Sequence, residues 1–355
     1  MTSADMLVVG QGVAGSVLAW TLDQLGYRVI LADAPGLPSA SRAAAGIVNP
    51  LTGRKLVRTW RADALFPFLH DFYTRAERQL QTRFFYPRSI YRPYRSDVEK
   101  AAYETYTTDP EVAQYVRRAV DDQGYSPYIH NAFGGLTVTQ AGWLNVPAFL
   151  DAIRAYFRAK GQFVEALVVP ETIRFGPDSA VWEGYSVRNV LFSEGPQSAR
   201  NPLFDWLPYN PVKGQILTAV VDDYPIEAIV NQGVFILPLD AHTIRIGATY
   251  TWHDLDWQTT DDGRVFLQNK VRELLKIPYR IVEQQAGIRP ATKDRRPFVG
   301  WHPEVPTAGI FSGMGSKGVS LAPYLARQLA GHLMNGEELD PEVNISRVVS
   351  LYFRN

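Results

Sequence analysis

Gly10-Gln11-Gly12-Val13-Ala14-Gly15 is the stretch on which the reading of this chain turns. It fits G-x-G-x-x-G, a pattern that means little alone and much in the right frame. Met6, Leu7, Val8 and Val9 precede it as a short apolar run, as expected of a parallel strand buried on both faces. Val13, Val17, Leu18, Leu22 and Leu25 follow at helical spacing, and Gly26 is placed as a C-terminal cap. Arg28 to Ala32 then gives a second apolar strand that ends on Asp33. In such a strand–helix–strand unit Gly10 permits the tight turn, Gly12 lets a pyrophosphate approach the backbone, and Gly15 lets helix and strand pack closely. The helix N-terminus, at Val13 and Ala14, offers N–H groups and partial positive charge to phosphates. Asp33 can accept hydrogen bonds from ribose hydroxyls. The unit predicts an adenine dinucleotide site, without separating a flavin from a nicotinamide.

Outward from this unit, Ser41-Arg42-Ala43-Ala44-Ala45-Gly46 continues into Ile47-Val48-Asn49-Pro50, where small side chains would let backbone lie close to a flat ring system. Residues 61–130 are rich in Tyr, Phe and Arg, with helical stretches expected near 62–82 and 97–119, and read as a separate lobe or cover. Leu144 to Lys160 reads as a helix with Phe149, Ile153 and Phe157 on one face, and 163–169 and 187–192 as strands returning to the first sheet. From about 212 to 250 the pattern is one of alternating strands. Val234–Leu237 and Thr243–Ile246 flank a turn at Asp240-Ala241-His242, which leaves His242 solvated. Val265 to Leu275 is expected to be helical, as is a last segment in which Leu321, Leu325, Leu329 and Leu333 recur every fourth residue.

The 36 basic side chains equal the 36 acidic ones, which gives no long-range pull toward nucleic acid or an anionic membrane. The absence of cysteine excludes disulfides, thiolate metal sites, a cysteine nucleophile and attachment of a cofactor through sulfur. No apolar run reaches the roughly 18 residues of a bilayer span. Met6–Val9 is too short for the core of a signal peptide, and Asp5 stands where a positive region would be. The expected compartment is the cytoplasm, without membrane insertion. No cluster of metal-ligating residues stands out.

The most specific motifs lie near the C-terminus. Ala286-Gly287-Ile288-Arg289-Pro290-Ala291-Thr292-Lys293-Asp294-Arg295-Arg296-Pro297-Phe298-Val299-Gly300 is followed by Ser312-Gly313-Met314-Gly315-Ser316-Lys317-Gly318-Val319, which leads into the last helix. With the glycine loop, the Ser41–Gly46 segment, Pro211-Val212-Lys213-Gly214-Gln215 and Ile246-Gly247-Ala248-Thr249, the chain resembles the D-amino-acid oxidase superfamily, in particular its glycine-oxidase-like branch. The resemblance covers nearly the whole chain. It implies an α/β, two-lobed architecture: a Rossmann-like lobe of the glutathione-reductase-like FAD fold, and an antiparallel-sheet substrate lobe that roofs the flavin. The corresponding boundaries are 1–60, 140–210 and 286–355 for the FAD-binding domain, and 61–139 and 211–285 for the substrate domain.

The resemblance also implies the site. FAD would be held by Gly10, Gly12, Val13, Ala14, Gly15, Asp33, Ser41, Arg42, Ala44, Ala45, Gly46, Val168 and Gly195, and by the loop Gly313, Gly315, Ser316, Lys317, Gly318 and Val319 at the flavin. Arg289 matches the arginine that binds a substrate carboxylate, a task suited to a planar guanidinium. Lys317 would add a second positive charge near the flavin or the substrate, and Phe235 and Tyr250 lie on or just after the strands expected to face the flavin, where the tyrosine hydroxyl could hydrogen-bond a carboxylate or amine. The chain departs from its relatives at Ser193-Glu194-Gly195-Pro196, where a small-residue turn is usual, and within 61–130. Relatives with histidine-linked FAD carry that histidine near the early small-residue loop; here the first is His70, so FAD is expected to be non-covalent.

The chemistry implied is oxidation of the C–N bond of a small amine or amino acid, by hydride transfer to flavin N5 and hydrolysis of the imine, with oxygen or a carrier as electron acceptor. Two other readings stay open. Phe84-Phe85-Tyr86-Pro87-Arg88-Ser89-Ile90-Tyr91-Arg92-Pro93-Tyr94-Arg95 interleaves aromatic and basic residues, and Arg54, Lys55, Arg58 and Arg61 surround Trp60. Such a surface could stack bases and hold phosphates, as in oxidation of a modified tRNA base. The neutral net charge and the strand-forming tyrosines favour a sheet face with solvated arginines instead. The other is a flavin-binding interaction protein without catalysis, against which Arg289 and the Gly313–Gly318 loop speak. A plain NAD dehydrogenase has no use for the C-terminal motifs. Oligomeric state is not legible.

Overall fold

The strand Thr2–Val9 is the centre of an eight-stranded mixed sheet in the computed structural model, which describes residues 1–118 and 123–353. It pairs in parallel with Val29–Asp33 on one side and Tyr185–Phe192 on the other. Leu7 and Val8 are fully buried, as strands covered on both faces require. Phe163–Glu165 extends the sheet beyond Val29–Asp33. Tyr185–Phe192 divides its far side: its first half pairs antiparallel with Ala180–Trp182, its second half parallel with Ala308–Ser312. The expected strand 163–169 ends at Glu165, and residues 166–169 turn away to line a cavity.

The α-helices of the described residues are α1 (Val13–Gln24), α2 (Ala62–Leu80), α3 (Asp97–Tyr106), α4 (Pro110–Ala113), α5 (Val146–Ala159), α6 (Asp261–Arg272), α7 (Gly318–Asn335) and α8 (Ser346–Tyr352). None is long and apolar enough to cross a membrane. The helical stretch expected near 97–119 is broken. After α3 the chain restarts at Asp109, whose carboxylate accepts from the Glu111 N–H at 2.9 Å, with Pro110 in the first turn. It then enters the strand Val116–Arg118; position 119 lies outside the described residues.

A second eight-stranded sheet runs Arg280–Arg289, Val212–Val220, Thr243–Gly247, Phe235–Pro238, Ile229–Asn231, Ile90–Pro93, Gly135–Val138, Val116–Arg118. All its pairings are antiparallel except Ile229–Asn231 with Ile90–Pro93. Alternation sorts its faces: Ile244 and Ile246 enter a buried cluster with Leu217 and Leu267, while Ile216, Phe235 and Gly247 face the other way. The predicted boundary at 285/286 falls inside Arg280–Arg289, which belongs wholly to this sheet.

The segment 61–139 is divided rather than a separate lobe. Ile90–Pro93, Val116–Arg118 and Gly135–Val138 join the second sheet, whereas Phe85–Pro87 pairs with Gly142–Leu144 in a small three-stranded sheet, α2 packs on α7, and the Tyr73 hydroxyl donates to the Val319 carbonyl at 2.9 Å. The aromatic and basic stretch 84–95 is absorbed by packing. Tyr86 stacks on Trp143, Arg88 pairs with Glu227, and buried Arg92 donates to the Gly53 carbonyl and the Tyr103 hydroxyl.

Candidate active site

Two helix N-termini open onto one cavity of about 960 Å³ between the two sheets, at the upper end of the range for ligand sites. Neither α1, which begins after Gly12, nor α7, which begins after Lys317, has an acidic residue in its first turn or a side-chain cap from its own N-cap residue. By contrast α6 carries Asp261 and Asp262 and is capped by Thr260. A helix end without these devices keeps its N–H groups and positive pole for an anion.

The backbone around the loop requires glycine at two of its three glycine positions, Gly10 and Gly15. Gly10 has φ +96°, and a Cβ there would stand 2.7 Å from the Ser193 carbonyl oxygen. A Cβ on Gly15 would lie 1.9 Å from the Gly10 carbonyl oxygen, so this residue serves helix–strand packing and lies outside the cavity lining. Gly12 differs: its φ of −78° suits any residue, and its nearest neighbour is the Ser41 hydroxyl at 3.1 Å. That hydroxyl accepts from the Val13 N–H at 3.0 Å, which ties the small-residue segment to the start of α1.

Asp33 ends its strand at the cavity wall. Burial raises its pKa, opposed by the Gln11 N–H and by Arg154 and Arg42. The small-residue segment crosses the cavity against the second sheet: a Cβ on Gly287 would meet the Ala43 methyl at 3.3 Å. Ser41, Arg42, Ala44, Ala45, Gly46, Val168 and Gly195 all line the cavity, as do Gly10, Gly12, Val13 and Ala14. Gly315, Ser316, Lys317, Gly318 and Val319 line its other end. Gly313 does not. It has φ +76°, and a Cβ there would strike Thr292 at 2.8 Å, so its glycine answers to backbone packing.

Arg289 reaches the cavity from the edge strand of the second sheet. Its guanidinium lies against Gly214, where even a Cβ would come within 2.2 Å of Nη2, and its Cζ is 4.2 Å from the Tyr250 ring centroid. Nη1 donates to the carbonyls of Lys213 at 3.4 Å and Thr249 at 3.3 Å. No carboxylate of the described residues pairs with it. Burial holds its pKa below the usual range, with Tyr250 opposing. A guanidinium nonetheless stays charged, so the site presents a desolvated cation without an anion. Tyr250 and Phe235 both line the cavity, and Tyr250 is 57% exposed at its mouth.

Lys317 donates from Nζ to the Thr59 hydroxyl at 3.0 Å, and Thr59 in turn donates to the Asn49 carbonyl at 3.0 Å. Burial, followed by repulsion from Arg296 and Arg295, lowers its pKa to about 8. Glu194, on the wall beside Gly10, accepts from the Asn201 amide at 2.8 Å, and burial pushes its pKa up to about 7. Sequence reasoning passed over Gln11, Asn49, Arg154 and Asn231, all on the cavity wall. Gln11 and Asn49 lie within the quoted glycine-loop and small-residue stretches at variable positions, and only the fold brings Arg154 and Asn231 to the wall. His242 is exposed in its turn, and its Nδ1 lies 2.7 Å from the Asp222 carbonyl oxygen.

A Rossmann-like sheet with a glycine-loop helix that has no acid in its first turn, and a second sheet that offers an arginine without a carboxylate partner to the same cavity, fit a dinucleotide-dependent oxidoreductase. Residues 5–331 match the family model of the FAD dependent oxidoreductases named DAO, and the chain belongs to this family. Its cofactor is FAD. The chain is 28% identical to a glycine oxidase of Pseudomonas aeruginosa over 96% of its own length and 97% of the relative's. It is 24% identical to the tRNA 5-methylaminomethyl-2-thiouridine biosynthesis bifunctional protein of Marinobacter nauticus, over 92% of this chain. It spans only about half of that relative, 55% of its length. Among solved structures, glycine oxidase from Geobacillus kaustophilus superposes with a TM-score of 0.80 at 21% identity, covering 96% of this chain and 97% of that one.

The cavity fits the cofactor on its own features: two helix ends with no acid in the first turn and no cap from their own N-cap side chains, a wall of small residues, and the Asp33 carboxylate at the end of its strand. No cluster of metal-ligating side chains occurs among the described residues.

Proposed function

We propose that this protein oxidises the C–N bond of an amine that carries a carboxylate, an amino acid or a close relative. The observation that carries this reading is Arg289, a desolvated guanidinium that faces the cavity and has no anionic partner among the described residues. In this reading the Gly10–Ala14 loop and the α1 N-terminus hold the pyrophosphate, and Asp33 the adenosine ribose. Ser41–Gly46 lies along the cofactor, and the α7 N-terminus with Lys317 sits at the flavin. When bound, FAD supplies an acceptor for two electrons as a hydride. Arg289 fixes the substrate by its carboxylate, Tyr250 keeps the guanidinium plane in place, and Phe235 and Ile216 give an apolar wall that limits water. The division into FAD-binding and substrate segments follows the sheets best with the last boundary after Arg289.

The test is anaerobic mixing of the yellow protein with a panel of amino acids and simple amines. Bleaching by carboxylate-bearing amines, and displacement by a small carboxylate, is the expected result. Bleaching by simple amines alone, with no response to any carboxylate, would overturn the reading.

A second reading, oxidation of a modified tRNA base, is favoured by the match to the bifunctional tRNA protein. Exposed Arg54 and Lys55 add to it, on a hairpin whose Thr52 lines the cavity. Against it, Arg88 and Arg92 are engaged within the protein. A modified tRNA fragment in the same panel separates the two: bleaching by the fragment and by no free amino acid selects the second.

Lys317 makes the flavin end pH-sensitive. Below about pH 8 it is a cation beside the flavin, and above that it is neutral. The absorption spectrum of bound flavin should therefore show a transition near that pH which Lys317→Met removes. In an unfolded chain lysine titrates near about 10.4, so the folded state binds fewer protons between the two values, and stability rises with pH across that window. Lys317→Met should accordingly raise Tm at pH 7, with the gain shrinking as pH approaches about 10. A transition that persists in the variant would assign it to another group.

A further inference from the structure

Arg154 closes a ring of hydrogen bonds around the acid at the end of the Val29–Asp33 strand. Its Nε donates to the Gln11 side-chain oxygen at 2.9 Å and its Nη2 to Asp33 Oδ2 at 3.1 Å. The Gln11 N–H donates to Asp33 Oδ1 at 2.9 Å, which completes the circuit. The amide of Gln11 is oriented by its other end: Nε2 donates to the Leu150 carbonyl at 2.7 Å and to the Ser16 hydroxyl at 3.2 Å, so its oxygen faces Arg154. Gln11 is 3% exposed, and Arg154 and Asp33 each 26% at the side chain. The guanidinium also lies 5.2 Å from the centroid of Phe163, another cavity residue.

These contacts come from one face of α5. Leu150, Asp151 and Arg154 reach in turn Gln11, Arg42 of the small-residue segment, and Asp33. The helix thus holds three of the chain segments that line this end of the cavity. Each Asp33 oxygen accepts one bond within the ring and keeps a second lone pair free. Those free positions are what two ribose hydroxyls require, and a carboxylate unable to rotate binds them without a further loss of side-chain entropy.

We propose that Arg154 is the positioning residue of the adenosine site: through Gln11 and Asp33 it holds the carboxylate in the orientation that receives the ribose. The proposal rests on the assignment of this cavity to FAD. It also distinguishes Arg154 from a simple tie between α5 and the sheet, because such a tie would change the stability of the apoprotein and leave cofactor affinity alone.

The experiment is titration of apoprotein with FAD, followed by flavin fluorescence, in a cycle of Arg154→Met, Asp33→Asn and the double variant, with apoprotein melting recorded for each. Arg154→Met is expected to weaken FAD binding about 10- to 30-fold. Arg154→Lys should recover only part of this, since one ammonium cannot span both acceptors as the fork does. In the double variant the loss should equal that of Asp33→Asn alone, because Arg154 acts through Asp33. Unchanged affinity in both Arg154 variants, or losses that add fully in the double variant, overturns the proposal. The cavity assignment is judged separately by Gly12→Val: if that variant binds FAD like the parent, the assignment fails whatever Arg154 does.

Discussion

Gly12→Val should yield a folded, colourless protein. The three glycines of the loop differ in what a side chain would meet. At Gly15 a Cβ would sit inside the Gly10 carbonyl, and at Gly10 it would press on Ser193 from a left-handed backbone, so substitution of either damages the fold. Gly12 has an ordinary φ, and only the Ser41 hydroxyl stands in its way, at 3.1 Å. The apoprotein therefore accommodates a valine with a small shift of Ser41. The cofactor does not, because the branched side chain occupies the space through which a pyrophosphate reaches the N–H groups at the start of α1. Overpacking of this kind, with loss of those bonds, should weaken FAD binding about 100-fold or more. The check is flavin content after reconstitution, with apoprotein Tm as a control. Flavin at parental occupancy in Gly12→Val would place the pyrophosphate elsewhere. An unfolded apoprotein would mean that Gly12 serves the fold, as Gly10 and Gly15 do.

The same comparison explains what was legible in the sequence. The loop, its strands and Asp33 are neighbours along the chain, so their spacing alone sets their geometry. The turn at Asp240–His242 and the leucine stripe of α7 are local in the same sense, and both are found as expected. Gly15 and Gly313 carry motif positions but meet only backbone and packing neighbours, since a motif records where glycine is needed and not why. The break after α3 was signalled by Asp109-Pro110, a cap followed by a first-turn proline, within a stretch whose periodicity otherwise continues. Arg154 lay beyond any local reading. It meets Asp33 across 121 residues and Gln11 across 143, and an arginine on an amphipathic helix looks in sequence like a solvated one. Nor could the pattern of 61–139 reveal that α2 packs on α7 while Ile90–Pro93 and Gly135–Val138 join the other sheet.

Arg289→Lys should keep the flavin and lose the substrate. The guanidinium is placed by shape as much as by charge: it lies on Gly214 and near the Tyr250 ring, with one nitrogen turned toward two backbone carbonyls. Its remaining N–H donors are available to a ligand, and a planar fork gives a carboxylate two parallel bonds. Lysine keeps the charge and loses both the plane and the second donor direction. For a substrate with a carboxylate the expected cost is about 2–3 kcal/mol, a factor of about 30 to 150 in kcat/KM or in the affinity of a carboxylate inhibitor. An amine without a carboxylate should be nearly indifferent, so the ratio between the two substrates reports the contact itself. Gly214→Ala provides a second route to the same result, because its methyl would stand within 2.4 Å of Cζ and must push the guanidinium aside without altering its charge. The measurement is flavin reduction rate against substrate concentration in each variant, with inhibitor-induced changes in the flavin spectrum as an independent readout. If both variants retain parental kinetics and inhibitor binding, Arg289 is not the carboxylate anchor, and the unpaired cation at this position has some other use.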